Sequence, residues 1–144
     1  PLGNLTSQLF INIYMNELEQ FVKHKLKFKY YIRYADDFVI FSENRSYLEK
    51  QIPEISEFLE GRLKLTLHPD KLFIKTLTSG IDFLGWVHFL HHQILRTSTK
   101  RRMFHRLKQN HKRETITSYM GLLKHGNTYK LMRALQSELE LVSE

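Results

Sequence analysis

Cysteine is absent from all 144 residues, which excludes disulfides, thiolate metal sites and thiol nucleophiles and fits a reducing compartment. Proline occurs three times and glycine six, too few for a loop-dominated or low-complexity chain. No apolar run approaches the roughly 18 residues of a membrane span, and no charged-then-apolar leader opens the sequence. A cytoplasmic protein is the expectation. Acidic residues are missing over one long stretch: from position 96 to 113 there are eight Lys or Arg and no Asp or Glu. Across the chain 22 basic residues face 15 acidic ones, a formal charge of +7 that favours polyanionic partners through counterion release.

A chain of this length builds about one domain. Apolar residues Leu9, Phe10, Ile13, Tyr14, Leu18, Phe21 and Val22 recur at three- and four-residue spacing. They predict a helix over residues 5 to about 25 with one buried face, capped by Asn4 or Thr6. The β-rich runs "KFKYYIRY" and "FVIFS" are separated only by Ala35, Asp36 and Asp37, which reads as a hairpin with the acids at its turn. A second helix is expected over 46–60, capped by Ser46, disturbed by Pro53 and stopped by Gly61. Strands are expected in "LKLTLHPDKLFIKT", "GIDFLGWVHF" and "QILRTS", then helices over about 99–110, 114–124 and 128–141. Helices and strands are segregated, so the fold class is α+β with a mostly antiparallel sheet, and a helical module begins near residue 98.

The adjacent pair Asp36 and Asp37 lies inside "YIRYADDFVIF", a run that otherwise reads as buried. Two uncompensated neighbouring charges are unfavourable there. Mg²⁺ bound through one or two carboxylates would cancel their repulsion and leave coordination positions for water and substrate phosphates. The basic stretch carries Arg96, Lys100, Arg101, Arg102, Arg106 and Lys108 around the apolar Met103, Phe104 and Leu107, as a polynucleotide-facing helix or a solvated face would. His88, His91 and His92 lack metal-ligand spacing and read as turn and strand residues.

"YADD" between apolar strands resembles the catalytic hairpin of reverse transcriptases. Three further stretches resemble that family's motifs in the required order: "PLGNLTSQLFINIYMNEL" beside the nascent base pair, "LKLTLHPDKLFIKT" as the lysine-bearing palm motif, and "FLGW" as the primer-grip hairpin. The resemblance implies a polymerase-type palm over residues 1–97 and a helical thumb over 98–144. It implies Mg²⁺ as cofactor, and an RNA template, a DNA primer and deoxynucleoside triphosphates as partners. Asp36 would be the main metal ligand and Asp37 the second. Lys71 would neutralise or protonate the departing pyrophosphate. Leu2, Gly3, Gln8 and Tyr34 would adjoin nucleotide and template, although Tyr34 reads equally as a packed strand aromatic. Phe83, Leu84, Gly85 and Trp86 would form the primer grip, with Phe83 and Leu84 equally readable as core.

Most branches of the family carry Gln and Pro where this sequence has Leu2 and Gln8. That variant resembles the reverse transcriptases of diversity-generating retroelements, bacterial and phage systems that copy a template RNA with frequent errors at adenines. An apolar Leu2 in place of a polar contact would loosen base selection, and an accessory protein would accompany the enzyme. The family also needs an aspartate on an earlier palm strand and a fingers region, and neither stands ahead of Pro1 in these residues. The expectation is a palm and thumb segment of a longer enzyme, inactive by itself and able to dimerise through an exposed sheet edge. A non-catalytic module that binds RNA/DNA duplex is the alternative.

Overall fold

The computed structural model describes residues 5–109 and 112–142, with side chains up to Ser137. In chain order the elements are α1 (Leu5–Gln20), β1 (Tyr30–Tyr34), β2 (Asp37–Phe41), α2 (Arg45–Phe58), β3 (Ile81–Phe83), β4 (Trp86–His88), β5 (Gln93–Leu95), α3 (Thr97–Gln109), α4 (Arg113–Leu123) and α5 (Tyr129–Val142). This is an α+β fold with two small antiparallel sheets, β1-β2 and β3-β4-β5. No helix of the described residues is long and apolar enough to cross a membrane. The chain forms two compact units, the first ending at Ile74 and the second starting at Lys75. The palm-to-thumb junction expected at 97/98 therefore falls inside the second unit.

In the first unit, Met15, Leu18, Phe21 and Val22 from α1 and its extension meet Leu26, Phe28, Ile55, Leu59 and Leu63 in one buried cluster. Phe58, partly buried against this cluster, stacks on Phe21 with ring centroids 4.0 Å apart. Both helices run on into a wider π-helical turn, Phe21–Lys25 and Leu59–Leu63. Each is followed by a lysine in the left-handed region, Lys27 (φ 58°) and Lys64 (φ 53°), where glycine is the usual residue.

Three expectations for this unit fail. The helical spacing in α1 hides two apolar faces rather than one: Leu5, Leu9, Phe10, Ile13 and Tyr14 are exposed, while the buried side is Met15 and Leu18. Helix α2 is capped by Asn44, whose Oδ1 accepts from the Tyr47 amide at 3.0 Å, so Ser46 is already helical, and the helix continues through Pro53. The stretch 64–76 contains no strand. Lys64 turns the chain left-handed, Pro69–Lys71 forms a single 3₁₀ turn, and Leu65, Leu72 and Phe73 are exposed. Alternating polarity satisfies only half of what a strand needs, the other half being a pairing partner.

The second unit packs Trp86 and Leu95 of its sheet with Met103, Leu107, Ile116, Leu123 and Leu135 of its helices. Gly126, in the link between α4 and α5, lies directly under the Trp86 ring, and a Cβ at Gly126 would overlap that ring. Thr128, buried beside it, donates its hydroxyl to the Leu123 carbonyl and closes the end of α4.

Gly126→Ala should therefore cost about 1–3 kcal/mol, as overpacking does, with a fall in Tm on the order of 5–20 °C for a unit of this size. Trp86 is the single tryptophan, so its fluorescence during thermal unfolding reads the effect directly. An unchanged transition would contradict the packing.

A candidate catalytic hairpin and a basic helix face

Strands β1 and β2 pair in the register Tyr30↔Phe41, Ile32↔Val39 and Tyr34↔Asp37, leaving Ala35 and Asp36 as a two-residue loop. Ala35 has φ 52° and Asp36 does not share the positive φ, the pattern of a type II′ hairpin loop, in which the first position favours glycine. Asp36 thus occupies the loop and Asp37 opens β2. Both are exposed, contrary to the buried environment that the flanking residues suggest. Among the described residues neither carboxylate enters a hydrogen bond or ion pair.

The hairpin inverts the usual distribution of polarity. Tyr30, Ile32 and Tyr34 point outward, whereas Tyr31 and Arg33 point toward the core. Arg33, with its side chain only 10 % exposed, donates from Nη1 to the Ala35 carbonyl at 2.9 Å and to Asn12 Oδ1 at 3.1 Å, and from Nη2 to Glu19 Oε2 at 3.5 Å. One guanidinium therefore ties the carbonyl of the strained loop residue to helix α1. Charge-assisted bonds of this type are among the stronger ones available to a side chain. Arg33 Nε and the Tyr31 hydroxyl are buried without a hydrogen-bond partner among the described residues. Burial pushes the Tyr31 hydroxyl up to about 12, with the Arg33 charge opposing and the Glu19 charge assisting. The hydrogen bond from Lys23, at 2.5 Å, holds the Glu19 carboxyl below its ordinary value; the charges of Lys23 and Arg33 add to this, and burial opposes it.

The remaining expected site residues are dispersed. Tyr34 is 57 % exposed at the hairpin tip, which overturns its reading as a packed strand aromatic; Phe38, beside Tyr31 with centroids 6.1 Å apart, is the aromatic that packs. Gln8 is exposed on α1, and Lys71 is exposed on the Pro69–Lys71 turn. Leu2 and Gly3 lie outside the described residues. In the second unit, Phe83 pairs with Trp86 across a two-residue loop in which Leu84 (φ 53°) and Gly85 (φ 82°) are both left-handed, as in a type I′ turn. Leu84 is 49 % exposed at this tip although a bulky residue is disfavoured in that conformation, and Trp86 is buried. The hairpin therefore presents Leu84 and uses Trp86 as its root.

Helix α3 sorts its cations. Lys100, Arg101 and Lys108 share one face with Thr97, Phe104 and His105, lining a groove of about 440 Å³. Arg102 and Arg106, four residues apart, lie outside that groove. Arg96 is engaged elsewhere, its Nε bonded to Asp82 Oδ2 at 2.8 Å. Sequence reasoning missed Arg33, Asn12 and Glu19: strand alternation puts Arg33 on the same face as Tyr31 but carries no sign of which face turns inward. It also missed His105, which spacing from Arg101 places on the cationic face.

The family model described as reverse transcriptase (RNA-dependent DNA polymerase) matches residues 1–88. The chain belongs to the reverse transcriptase family. No curated protein matches it. The matched segment takes in the Asp36–Asp37 hairpin and the Leu84-Gly85 loop.

Arg33→Ala should lower urea stability by about 1.5–3 kcal/mol, the range for hydrogen bonds to a charged group, and unchanged stability would contradict the clamp. Glu19 supplies a pH signature. Its folded value is depressed below 4.5, so the unfolded chain holds that proton more tightly, and the contribution is complete above about pH 4.5 and is lost as pH falls through the folded value. Glu19→Gln should flatten that part of the acid limb in a pH series of urea melts.

Proposed function

We infer that this chain supplies part of the palm, over residues 1–97, and the thumb, over 98–144, of an RNA-directed DNA polymerase. That enzyme extends a DNA primer on an RNA template using deoxynucleoside triphosphates. The observation that carries the reading is the pair of exposed, unpartnered carboxylates, Asp36 and Asp37, on a hairpin tip fixed by Arg33. Adjacent hard oxygen donors of this kind fit Mg²⁺, the ion that reverse transcriptases generally use, when waters and substrate phosphates complete the coordination. Asp36 and Asp37 would hold it. The chemistry supplied by Mg²⁺ when bound is activation of the primer 3′ hydroxyl and neutralisation of charge on the transferring phosphate.

The protein's own groups take the remaining tasks. Tyr34 lies against the primer terminus, and Leu84, raised on its left-handed loop, steadies the primer strand. Lys71 gives a proton or its charge to the departing pyrophosphate. Lys100, Arg101 and Lys108 follow the phosphate backbone along α3, with Arg102 and Arg106 adding to the long-range field. Among the described residues no three His, Asp or Glu side chains are grouped to hold a metal ion. A further carboxylate, on an earlier palm strand outside these 144 residues, would complete the site in the family's manner, and the chain by itself would be inactive.

Leu2 and Gln8 support the diversity-generating retroelement branch, in a bacterial or phage-encoded cytoplasmic enzyme with an accessory protein. The exposed Leu5, Leu9, Phe10 and Ile13 on α1 and the open edges of the β1-β2 pair support dimerisation of the isolated segment.

Primer extension with dTTP on poly(rA) and oligo(dT) tests the reading. Residues 1–144 should incorporate nothing, whereas the intact gene product should extend the primer only with a divalent ion and lose on the order of 10³-fold in kcat with Asp36→Asn. Full activity of that variant would overturn the assignment. Salt-sensitive duplex binding with no divalent-ion dependence would favour the non-catalytic module.

A further inference from the structure

The turn between β4 and β5 meets the link between α4 and α5 along a shallow cleft, open to solvent, that the polymerase reading does not use. Its volume is about 440 Å³, and His88, His91, His92, Lys124, His125 and Asn127 line it, with no carboxylate among the lining residues. The two walls are joined by backbone and side-chain bonds. The Asn127 amide donates to the Gln93 carbonyl at 2.8 Å, and the Gln93 side-chain amide donates to the His125 carbonyl. On the strand side, the Phe89 amide donates to the His92 carbonyl at 2.9 Å, and the Phe89 ring stacks on His92 at 4.6 Å. His88 Nε2 is 3.3 Å from the Phe83 carbonyl, which can only accept, so that nitrogen carries the proton. The cleft is thus braced from both sides.

Four imidazoles in one cleft first raise the question of a transition metal. The geometry opposes it, because among the described residues no three ligating side chains are grouped to hold an ion. The Lys124 ammonium in the same lining would also repel a cation. What the cleft offers is the opposite: donors and positive charge with no competing acid. Among the described residues the side chains of His91, Lys124, His125 and Asn127 make no hydrogen bond or ion pair with protein, and all four residues are exposed.

We propose that this cleft binds a phosphate group, and that it does so more tightly as its histidines become protonated. A protonated imidazole carries a second N–H donor and a positive charge, both of which a phosphate oxygen can meet. The charged and titratable groups facing the ligand are the four histidines and Lys124, from β4, the β4-β5 turn and the α4-α5 link, with no carboxylate to oppose added positive charge. The phosphate could belong to a polynucleotide backbone or to a free phosphate compound. Binding here depends on neither Asp36 nor Asp37, so it stands apart from the catalytic assignment.

Histidine-ring and amide NMR of the whole chain at pH 6.0 and pH 8.0, titrated with pyrophosphate and separately with a twelve-residue oligothymidylate, tests this. Ring signals of His91, His92 and His125 should shift saturably, with affinity at least tenfold higher at pH 6.0. Lys124→Ala and the double variant His91→Ala/His125→Ala should each weaken binding at least tenfold, whereas His24→Ala, exposed in the first unit, should leave it unchanged. A response to both probes identifies any phosphate as sufficient, and a response to the oligonucleotide alone identifies a backbone site. Unmoved cleft signals, equal affinity at the two pH values, or shifts confined to α3 would overturn the proposal. Tight Zn²⁺ binding that moves the same rings would overturn it in favour of a metal site.

Discussion

A single guanidinium determines what the first unit can present. Arg33 reaches back from an inward position of β1 to the carbonyl of Ala35, the loop residue in the left-handed region, and at the same time engages Asn12 and Glu19 on α1. Left-handed backbone costs roughly 1–2 kcal/mol at a residue with a Cβ, so the loop needs an opposing hold. Because that hold comes from Arg33, Asp36 and Asp37 need not be packed to be fixed. They stay exposed, which leaves all their oxygens available, and the repulsion between them is moderated by water and by any cation they gather. Position without burial is what a carboxylate pair needs if it is to bind a metal together with a substrate.

The second unit solves a related problem with shape instead of charge. Leu84 and Gly85 form a tight left-handed loop whose tip is exposed, and the loop is rooted by Trp86, which settles against the bare backbone of Gly126. The same α4-α5 link forms one wall of the histidine-lined cleft. A glycine far from any motif thereby connects the Leu84-Gly85 hairpin, the helical core and the histidine-lined cleft.

Local chemistry was the part of the molecule most open to reading from sequence. The acid-bearing hairpin and the three C-terminal helices follow from short-range periodicity and turn residues, and those elements form near where such signals put them, whereas "GIDFLGWVHF", which reads as one strand, is broken into two at Leu84-Gly85. Features that depend on what a segment packs against were hidden. Helical spacing in α1 could not tell the face that meets Met15 and Leu18 from the exposed face of Leu9 and Ile13. Alternation in "LKLTL" looked like a strand but found no partner among the described residues. Flanking tyrosines and isoleucines suggested buried acids, because nothing in the one-dimensional pattern marks Arg33 as the residue that turns inward. As for the site, the two aspartates were legible as a pair, whereas Asn12 and Glu19, which hold the turn through Arg33, lie 14 or more residues away in sequence.

The central claim is that an Arg33-held loop offers Asp36 and Asp37 jointly to a divalent cation. Paramagnetic broadening of backbone amides by substoichiometric Mn²⁺ in the ¹⁵N-labelled chain measures this most directly. Broadening should be centred on residues 35–38, disappear with Asp36→Asn and weaken with Arg33→Ala. Broadening centred elsewhere, or unchanged by either substitution, would contradict the account.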